Sequence, residues 1–177
     1  MDTAIREFDS YLASLVLRFQ AVIIGGAALI VMGVIERVTD DVDCLDPVMP
    51  DAIKDAARRF ALERSDLGLK EAWFNNGPIS LQTDLPDGWR ERLVPIFTGA
   101  AIELHTLGRL DLLRTKLFAY CDRLVDEDDC ADMAPTAEEL TLCLPWLLER
   151  DGNPHWPAHV RSSLRKLAGR LGYDYHP

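Results

Sequence analysis

The chain has 177 residues and a formal net charge of −10. This length can bury the core of one domain, and a composition of 48% hydrophobic and 27% charged residues is typical of a globular protein. The negative charge argues against stable DNA binding, which normally uses a basic surface. No apolar run reaches the ~18 residues that a membrane-spanning helix needs, so we expect no membrane contact.

From the first residues of the sequence we expect no signal for export. Its first ten residues are acidic and amphipathic, whereas a secretory signal has a basic region followed by an apolar stretch. The four cysteines are scattered and form no Cys-x-x-Cys pair: Cys44, Cys121, Cys130 and Cys143. Zinc ligation and a disulfide framework are therefore poorly supported, and reduced thiols in a cytoplasmic protein are the expected state.

Helices and strands are mixed in the first part of the chain. Hydrophobic spacing predicts a helix over 3–19, a strand over 22–24, a helix over 26–34, a strand over 41–45 and a helix over 50–64. A turn is predicted over 73–78, and residues 79–83 fit a short strand or an extended loop. Two further strands are predicted over 93–97 and 101–105.

Helices dominate the second part of the chain, with predicted spans 108–123, 136–149 and 157–172. This order of elements predicts an α+β fold, with a mixed sheet flanked by helices and a helical C-terminal part. We expect one domain over 1–177, made of an α/β core at about 1–107 and a helical subdomain at about 108–177.

The segment with the clearest chemical pattern follows the strand over 22–24. That strand ends on Gly25-Gly26, a short apolar segment follows, and the next strand carries Asp41 and Asp43. Alternate side chains of a strand share a face, so these two carboxylates point the same way and repel each other. A hard cation such as Mg²⁺ between them would remove that repulsion. The glycine pair would let phosphates approach the backbone, and the helix that opens there would offer them free N–H groups.

This arrangement resembles the nucleotidyltransferases of the DNA polymerase β superfamily. It is closest to the abortive-infection-type (AbiEii-like) toxins and the minimal nucleotidyltransferases. In that branch a Gly-Gly pair is followed, after a helix, by Arg-x-Thr-x-Asp-hydrophobic-Asp. The residues that match are Gly25, Gly26, Arg37, Thr39, Asp41 and Asp43.

A later segment extends the resemblance. The branch has a Leu-x-x-x-Lys-Leu-x-Ala-x-x-x-Arg pattern and then Arg-Asp-x-x-Asp-Leu, and this chain matches with Lys116, Ala119, Arg123, Asp129 and Asp132. The resemblance implies that Lys116 and Asp129 face the nucleotide. The chain departs from the pattern at Asp128, where the family commonly has a basic residue, so Asp126 and Asp128 are rivals of Asp129.

Many polymerase β-type enzymes also have a third carboxylate on a nearby strand. Glu103 is the best-placed candidate, because Ile102 and Leu104 would face the core and Glu103 the opposite side. Simple solvent exposure of Glu103 is the alternative. The predicted metal ligands are therefore Asp41, Asp43 and Glu103.

The resemblance implies an enzyme that moves a nucleotidyl group from an NTP to an RNA or protein acceptor and depends on Mg²⁺ (or Mn²⁺). tRNA and a partner protein are the acceptors considered, within a bacterial toxin–antitoxin or phage-defence system. The implied catalytic residues are Asp41, Asp43, Lys116 and Asp129, and the implied nucleotide-binding residues are Gly25, Gly26, Arg37 and Thr39. The alternative is a catalytically weak protein of the same fold that acts as a nucleotide-binding or antitoxin-like partner.

Overall fold

The computed structural model describes residues 1–35, 39–123 and 125–177. Within these ranges the chain forms five β-strands and seven α-helices, which confirms the predicted α+β class. It divides into two compact units, residues 1–108 and 109–177. None of the helices in the described ranges is long and apolar enough to cross a membrane.

The first unit contains one mixed sheet and three α-helices. The helices are α1 (Asp2–Ser14), α2 (Gly25–Val31) and α3 (Asp51–Glu63), and the strands are β1 (Phe19–Ile24), β2 (Val42–Asp46), β3 (Phe74–Asn75), β4 (Val94–Thr98) and β5 (Ile102–Thr106). The strand order is β3-β2-β1-β5-β4. β1 is antiparallel to β2 and parallel to β5, so the sheet is mixed around its central strand.

One face of the sheet forms the core of this unit. Val42 and Cys44 of β2 and Leu104 of β5 belong to a buried apolar cluster that also contains residues of α1 and α3. Successive side chains of a strand point to opposite faces. The side chains of Asp43 and Glu103 therefore lie on the opposite face of the sheet.

Four aromatic rings fix the packing of the helices against the edge strand. Phe8 of α1 contacts Phe60 of α3, Trp73 and Phe74, with ring centroids 5.2 to 5.6 Å apart. The Trp73 indole N–H donates to the carbonyl of Ala57 at 3.0 Å, so its polar atom is satisfied in the core. These contacts hold β3 at the end of the sheet, next to the strand that carries Asp43.

Several local predictions differ from the structure. The first helix ends at Ser14 rather than Phe19, because Val16 has a φ of 57° and the chain turns there. Phe19 instead begins β1, which is longer than the predicted strand. The second helix ends at Val31, and residues Ile79–Thr83 form a 3-10 helix rather than an extended segment.

The second unit is helical. It contains α4 (Arg109–Arg123), α5 (Glu127–Asp132), α6 (Ala137–Leu148) and α7 (Trp156–Arg170). Thr136 and Glu139 cap the start of α6 reciprocally, each side chain accepting from the other residue's backbone N–H. The acidic segment at α5 is helical, although its sequence reads equally well as a solvated loop.

Candidate active site

Asp41 and Asp43 lie where β2 begins. Asp43 is the second residue of the strand and pairs with Ile24, the last residue of β1. Asp41 precedes the strand and is exposed, whereas Asp43 is half-buried. The Thr39 hydroxyl donates to Asp41 Oδ1 at 3.2 Å, so the structure brings these two predicted residues together. Arg37, which was also predicted here, lies outside the described residues.

Gly25 is the nearest glycine to this pair of carboxylates. Its φ is +80°, and a Cβ added to it would lie 2.8 Å from Asp43 Oδ2. Both facts exclude a larger residue, because side chains rarely adopt that backbone conformation and the space belongs to the carboxylate. Gly26 follows in the first turn of α2 and is buried. The structure therefore places Gly25, the first glycine of the pair, directly beside Asp43.

Charges around the carboxylates include one nearby lysine. Lys70 Nζ lies 2.8 Å from Asp40 Oδ2, and this pair is solvent-exposed. The hydrogen bond to Asp40 raises the pKa of Lys70, and the charge of Asp41 adds to the effect. The same hydrogen bond lowers the pKa of Asp40. Asp41 thus lies within reach of a cationic side chain on the surface.

Cys44 follows Asp43 but is not a candidate ligand. It points into the core and is fully buried. Burial raises the pKa of its thiol to about 12. A thiol that stays protonated in a dry environment does not bind a metal or act as a nucleophile.

Glu103 is not brought to the Asp43 carboxylate, contrary to the sequence prediction. Glu103 of β5 pairs with Gln20, whereas Asp43 pairs with Ile24. Gln20 and Ile24 are four residues apart along β1, at about 3.3 Å per residue. β5 and β2 lie on opposite sides of β1, so two strand spacings of about 4.8 Å also separate them. One ion cannot contact both carboxylates across that span. Glu103 instead lies near His105, whose Nε2 is 3.6 Å from Glu103 Oε1.

A groove of about 530 Å³ is present in the first unit, and His105 lines it. Val22 pairs with Asp46 on one side and with His105 on the other, so the groove crosses β2, β1 and β5. At one end Arg90 Nη2 lies 3.3 Å from Asp46 Oδ2. The groove therefore presents a guanidinium and an imidazole to any polar molecule that enters it.

Arg90 is held in place by more than its ion pair. Its Nη2 donates to Gln82 Oε1 at 3.1 Å, and its guanidinium lies 4.1 Å from the centre of the Trp89 ring. Stacking on an indole limits the motion of the guanidinium, and Asp46 and Gln82 occupy its Nε and Nη2 edge. Sequence patterns gave no indication of this residue, because its neighbours in the groove come from distant segments.

The second unit contains the other two predicted catalytic residues, and they contact each other. Lys116 Nζ donates to Asp129 Oδ2 at 2.6 Å, and the side chains are only 5% and 1% exposed. Asp126 Oδ2 is 3.3 Å from the same amine. The remaining rival, Asp128, is exposed and binds Arg170 instead. Lys116 therefore faces Asp129 and Asp126.

The donor atoms fit a divalent cation only in part. In residues 1–35, 39–123 and 125–177, no group of three or more His, Cys, Asp or Glu side chains is arranged to hold a metal ion. The pair formed by Asp41 and Asp43 supplies hard oxygens of the kind that Mg²⁺ prefers. A metal site at this position needs further oxygens from other groups.

The chain matches a known family model. A family model described as a nucleotidyltransferase of unknown function (DUF6036) matches residues 3–136. The matched segment covers more than half of the chain and includes the glycine pair, both predicted metal-binding aspartates, Lys116 and Asp129. No curated protein and no solved structure shows a significant match to the chain.

Proposed function

The chain belongs to this nucleotidyltransferase family, and on that premise we propose that it is a Mg²⁺-dependent enzyme that transfers a nucleotidyl group from an NTP to an acceptor. The observation that carries the proposal is the proximity of Gly25 to Asp43. A Cβ added to Gly25 would lie only 2.8 Å from Asp43 Oδ2. A glycine in a left-handed conformation and a half-buried carboxylate meet where β1 ends and β2 begins. Without a Cβ at Gly25, a phosphate that approaches this acid would meet the backbone rather than a side chain.

Asp41 and Asp43 would hold the divalent ion, Mg²⁺ or Mn²⁺. The bound ion would supply charge neutralisation for the phosphates and would activate the acceptor hydroxyl. Gly25 and Gly26 would let the triphosphate approach the backbone, and Thr39 would orient Asp41 through its hydroxyl. Arg37 would contact a phosphate, as the resemblance to the toxin branch implies.

Lys116 and Asp129 would act as a pair in the second unit. The 2.6 Å contact with the carboxylate fixes the direction of the amine. A fixed ammonium can stabilise negative charge that develops on the departing pyrophosphate. This role rests on the resemblance and on the pairing within the unit.

The acceptor would be an RNA such as tRNA or a partner protein. The net charge of −10 favours a protein or a small acceptor over nucleic acid, and no stable DNA binding is expected. The groove lined by Arg90 and His105 offers a place for a polar acceptor group on the same face of the sheet as Asp43. We place this activity in a cytoplasmic toxin–antitoxin or phage-defence system of the abortive-infection type.

A second candidate is a catalytically weak protein that binds nucleotides or a partner. One observation favours it: the register of the sheet keeps Glu103 away from Asp43, so the predicted third acid does not complete the site. Under this alternative the nucleotide binds but no label is transferred.

Incubation with Mg²⁺, α-labelled NTPs and total cellular RNA or total protein distinguishes the two candidates. We expect labelled acceptor with the wild-type chain and none with Asp41→Asn/Asp43→Asn, because the double variant loses both charges that would bind the ion. Isothermal titration of Mn²⁺ and NTP measures binding in parallel. Binding without transfer would favour the alternative, and unchanged binding by the double variant would contradict the metal assignment.

A further inference from the structure

The Asp43 carboxylate lies between two glycines. A Cβ added to Gly25 would lie 2.8 Å from Asp43 Oδ2, and a Cβ added to Gly77 would lie 3.8 Å from Asp43 Oδ1. The two glycines come from different parts of the chain, one at the end of β1 and one just after β3. Each lacks a side chain, so the space beside one oxygen of the same carboxylate holds no Cβ.

Asn75 borders the second of these spaces. It pairs with Asp43 across the parallel strands β2 and β3, so both side chains lie on the same face of the sheet. Its Oδ1 would be 2.9 Å from a Cβ on Gly77, the same point that is 3.8 Å from Asp43 Oδ1. An amide oxygen and a carboxylate oxygen thus lie next to the same position beside Gly77, where any other residue would place its Cβ.

The orientation of the Asn75 amide is fixed. The Gly77 N–H donates to Asn75 Oδ1 at 2.6 Å, which identifies this atom as the acceptor. A carbonyl oxygen has two lone pairs, so one remains for a ligand. Amide oxygens are regular ligands of hard divalent cations, and a backbone donor behind a ligand atom holds it in the geometry that binding needs.

We propose that Asn75 supplies the third protein oxygen for the divalent ion held by Asp41 and Asp43, at the position for which the sequence predicted Glu103. This inference rests on the proposed function. It also has a consequence for regulation of the site. Two carboxylates and a neutral amide carry less charge than three carboxylates, so the ion binds weakly until the NTP phosphates add their own oxygens. Metal and nucleotide binding are therefore strongly coupled.

Mn²⁺ titration monitored by electron paramagnetic resonance tests the assignment. The probe is Mn²⁺ with an equimolar mixture of non-hydrolysable analogues of ATP, GTP, CTP and UTP. Asn75→Asp keeps the shape and the acceptor for the Gly77 N–H but adds a charge, so we expect Mn²⁺ to bind about tenfold more tightly, while Asn75→Ala should weaken binding about tenfold. The added carboxylate in Asn75→Asp supplies negative charge that the nucleotide otherwise provides. The gain in Mn²⁺ affinity should therefore be larger without nucleotide than with it.

Three further variants make the outcome decisive. Asn153→Asp, the same chemical change in an exposed loop of the second unit, should bind Mn²⁺ as the wild type does, and so should Glu103→Gln. Wild-type affinity in Asn75→Asp and Asn75→Ala, together with loss of binding in Asp43→Asn, would overturn the role of Asn75 and leave the proposed function intact. Unchanged binding in Asp43→Asn, or no binding by the wild type, would overturn both. If Asn75→Ala unfolds in a thermal melt, the shape-preserving Asp variant decides alone.

Discussion

At the scale of single residues, Gly25 is the most constrained position near the carboxylates. It combines a φ of +80° with direct proximity to Asp43 Oδ2. Gly25→Ala adds backbone strain of about 1–2 kcal/mol and pushes the carboxylate out of its position. We expect the variant to remain folded and to lose at least about tenfold in affinity for NTP with Mn²⁺, because a displaced ligand atom no longer meets the ion. Isothermal titration measures this.

Gly68→Ala is the matched control for this prediction. Gly68 also has a positive φ, +64°, but a Cβ there would meet nothing within 4 Å. The Gly68→Ala variant therefore has the backbone strain but no contact with Asp43. Its melting temperature should fall, and its nucleotide affinity should equal that of the wild type. Equal nucleotide affinity in the two variants would mean that Gly25 serves only to turn the chain.

The sequence predicted the proximity of residues that belong to one local motif. It could not predict proximity that depends on the register between strands. Gly25, Asp41 and Asp43 belong to one local motif, and the family match confirms the nucleotidyltransferase prediction that this motif carried. Side-chain alternation correctly gave the face on which Glu103 lies, but it gives no position along the sheet. Asn75 stayed hidden because its strand has two residues, too few to show a period.

At the scale of elements, α1 is tied to the β4–β5 hairpin by one carboxylate. Asp9 Oδ1 accepts from the N–H groups of Ala101 and Ile102 at 2.8 and 2.7 Å, and Oδ2 accepts from Ala100 at 3.0 Å. The side chain is buried, and any side chain at Gly99 would overlap it. One residue of the helix thus satisfies three donors of the hairpin turn.

Asp9→Asn should destabilise the first unit by about 2–3 kcal/mol, because an amide NH₂ cannot accept and would leave a buried backbone donor unsatisfied. Urea unfolding at neutral pH measures the difference. Asp66→Asn, a change at an exposed aspartate of the same unit, is the control and should cost much less. A loss as small as the control's would show that the turn holds its shape without Asp9.

The same carboxylate makes stability depend on pH. Burial raises the pKa of Asp9, but the backbone donors outweigh burial and lower it below its ordinary value of 3.8. The stabilisation is therefore complete above that value, and it is lost as the pH falls toward the lower folded pKa. The stability difference between the wild type and Asp9→Asn should shrink as the pH falls below 3.8.

Element boundaries were predictable where apolar spacing and capping residues agreed. The helix at Ala137–Leu148 follows a Thr–Glu capping pair, and its structure keeps that pair. The boundary after α1 was missed because Val16 and Phe19 continue the apolar spacing of the helix. The structure exposes 92% of Val16, so the apolar side chain there does not continue the buried face. The spacing of apolar residues indicates a helix, but it does not indicate the residue at which the helix ends.

At the scale of the whole molecule, the residues proposed for the chemistry belong to two compact units. The carboxylates and glycines belong to residues 1–108, whereas Lys116 and Asp129 belong to residues 109–177. The ion pair between Lys116 and Asp129 is buried, so removing one partner leaves the other buried without that ion pair. A test of Lys116 in catalysis must therefore avoid confusing lost chemistry with lost folding.

A neutral pair separates these effects. Lys116→Gln alone should cost about 3–5 kcal/mol of unfolding free energy, because Asp129 remains buried and loses its ion pair with Lys116. Lys116→Gln/Asp129→Asn replaces the ion pair by two amides that can still bond to each other, and it should recover most of that loss. Urea unfolding of both variants checks the order. A double variant less stable than the single one would contradict the pairing.

The folded double variant then tests whether Lys116 contributes to the transition state. Negative charge on the departing pyrophosphate grows during the reaction, so a fixed ammonium should matter more for transfer than for binding. We expect Lys116→Gln/Asp129→Asn to lose about 100-fold or more in transfer rate with labelled NTP and total RNA or protein. Its affinity for NTP with Mn²⁺ should fall less than about tenfold.

The control is Lys166→Gln/Glu127→Gln, which removes a more exposed ion pair from the same unit and should change neither the transfer rate nor the NTP affinity. Full transfer activity in the folded Lys116 double variant would show that the buried pair serves only to stabilise the second unit.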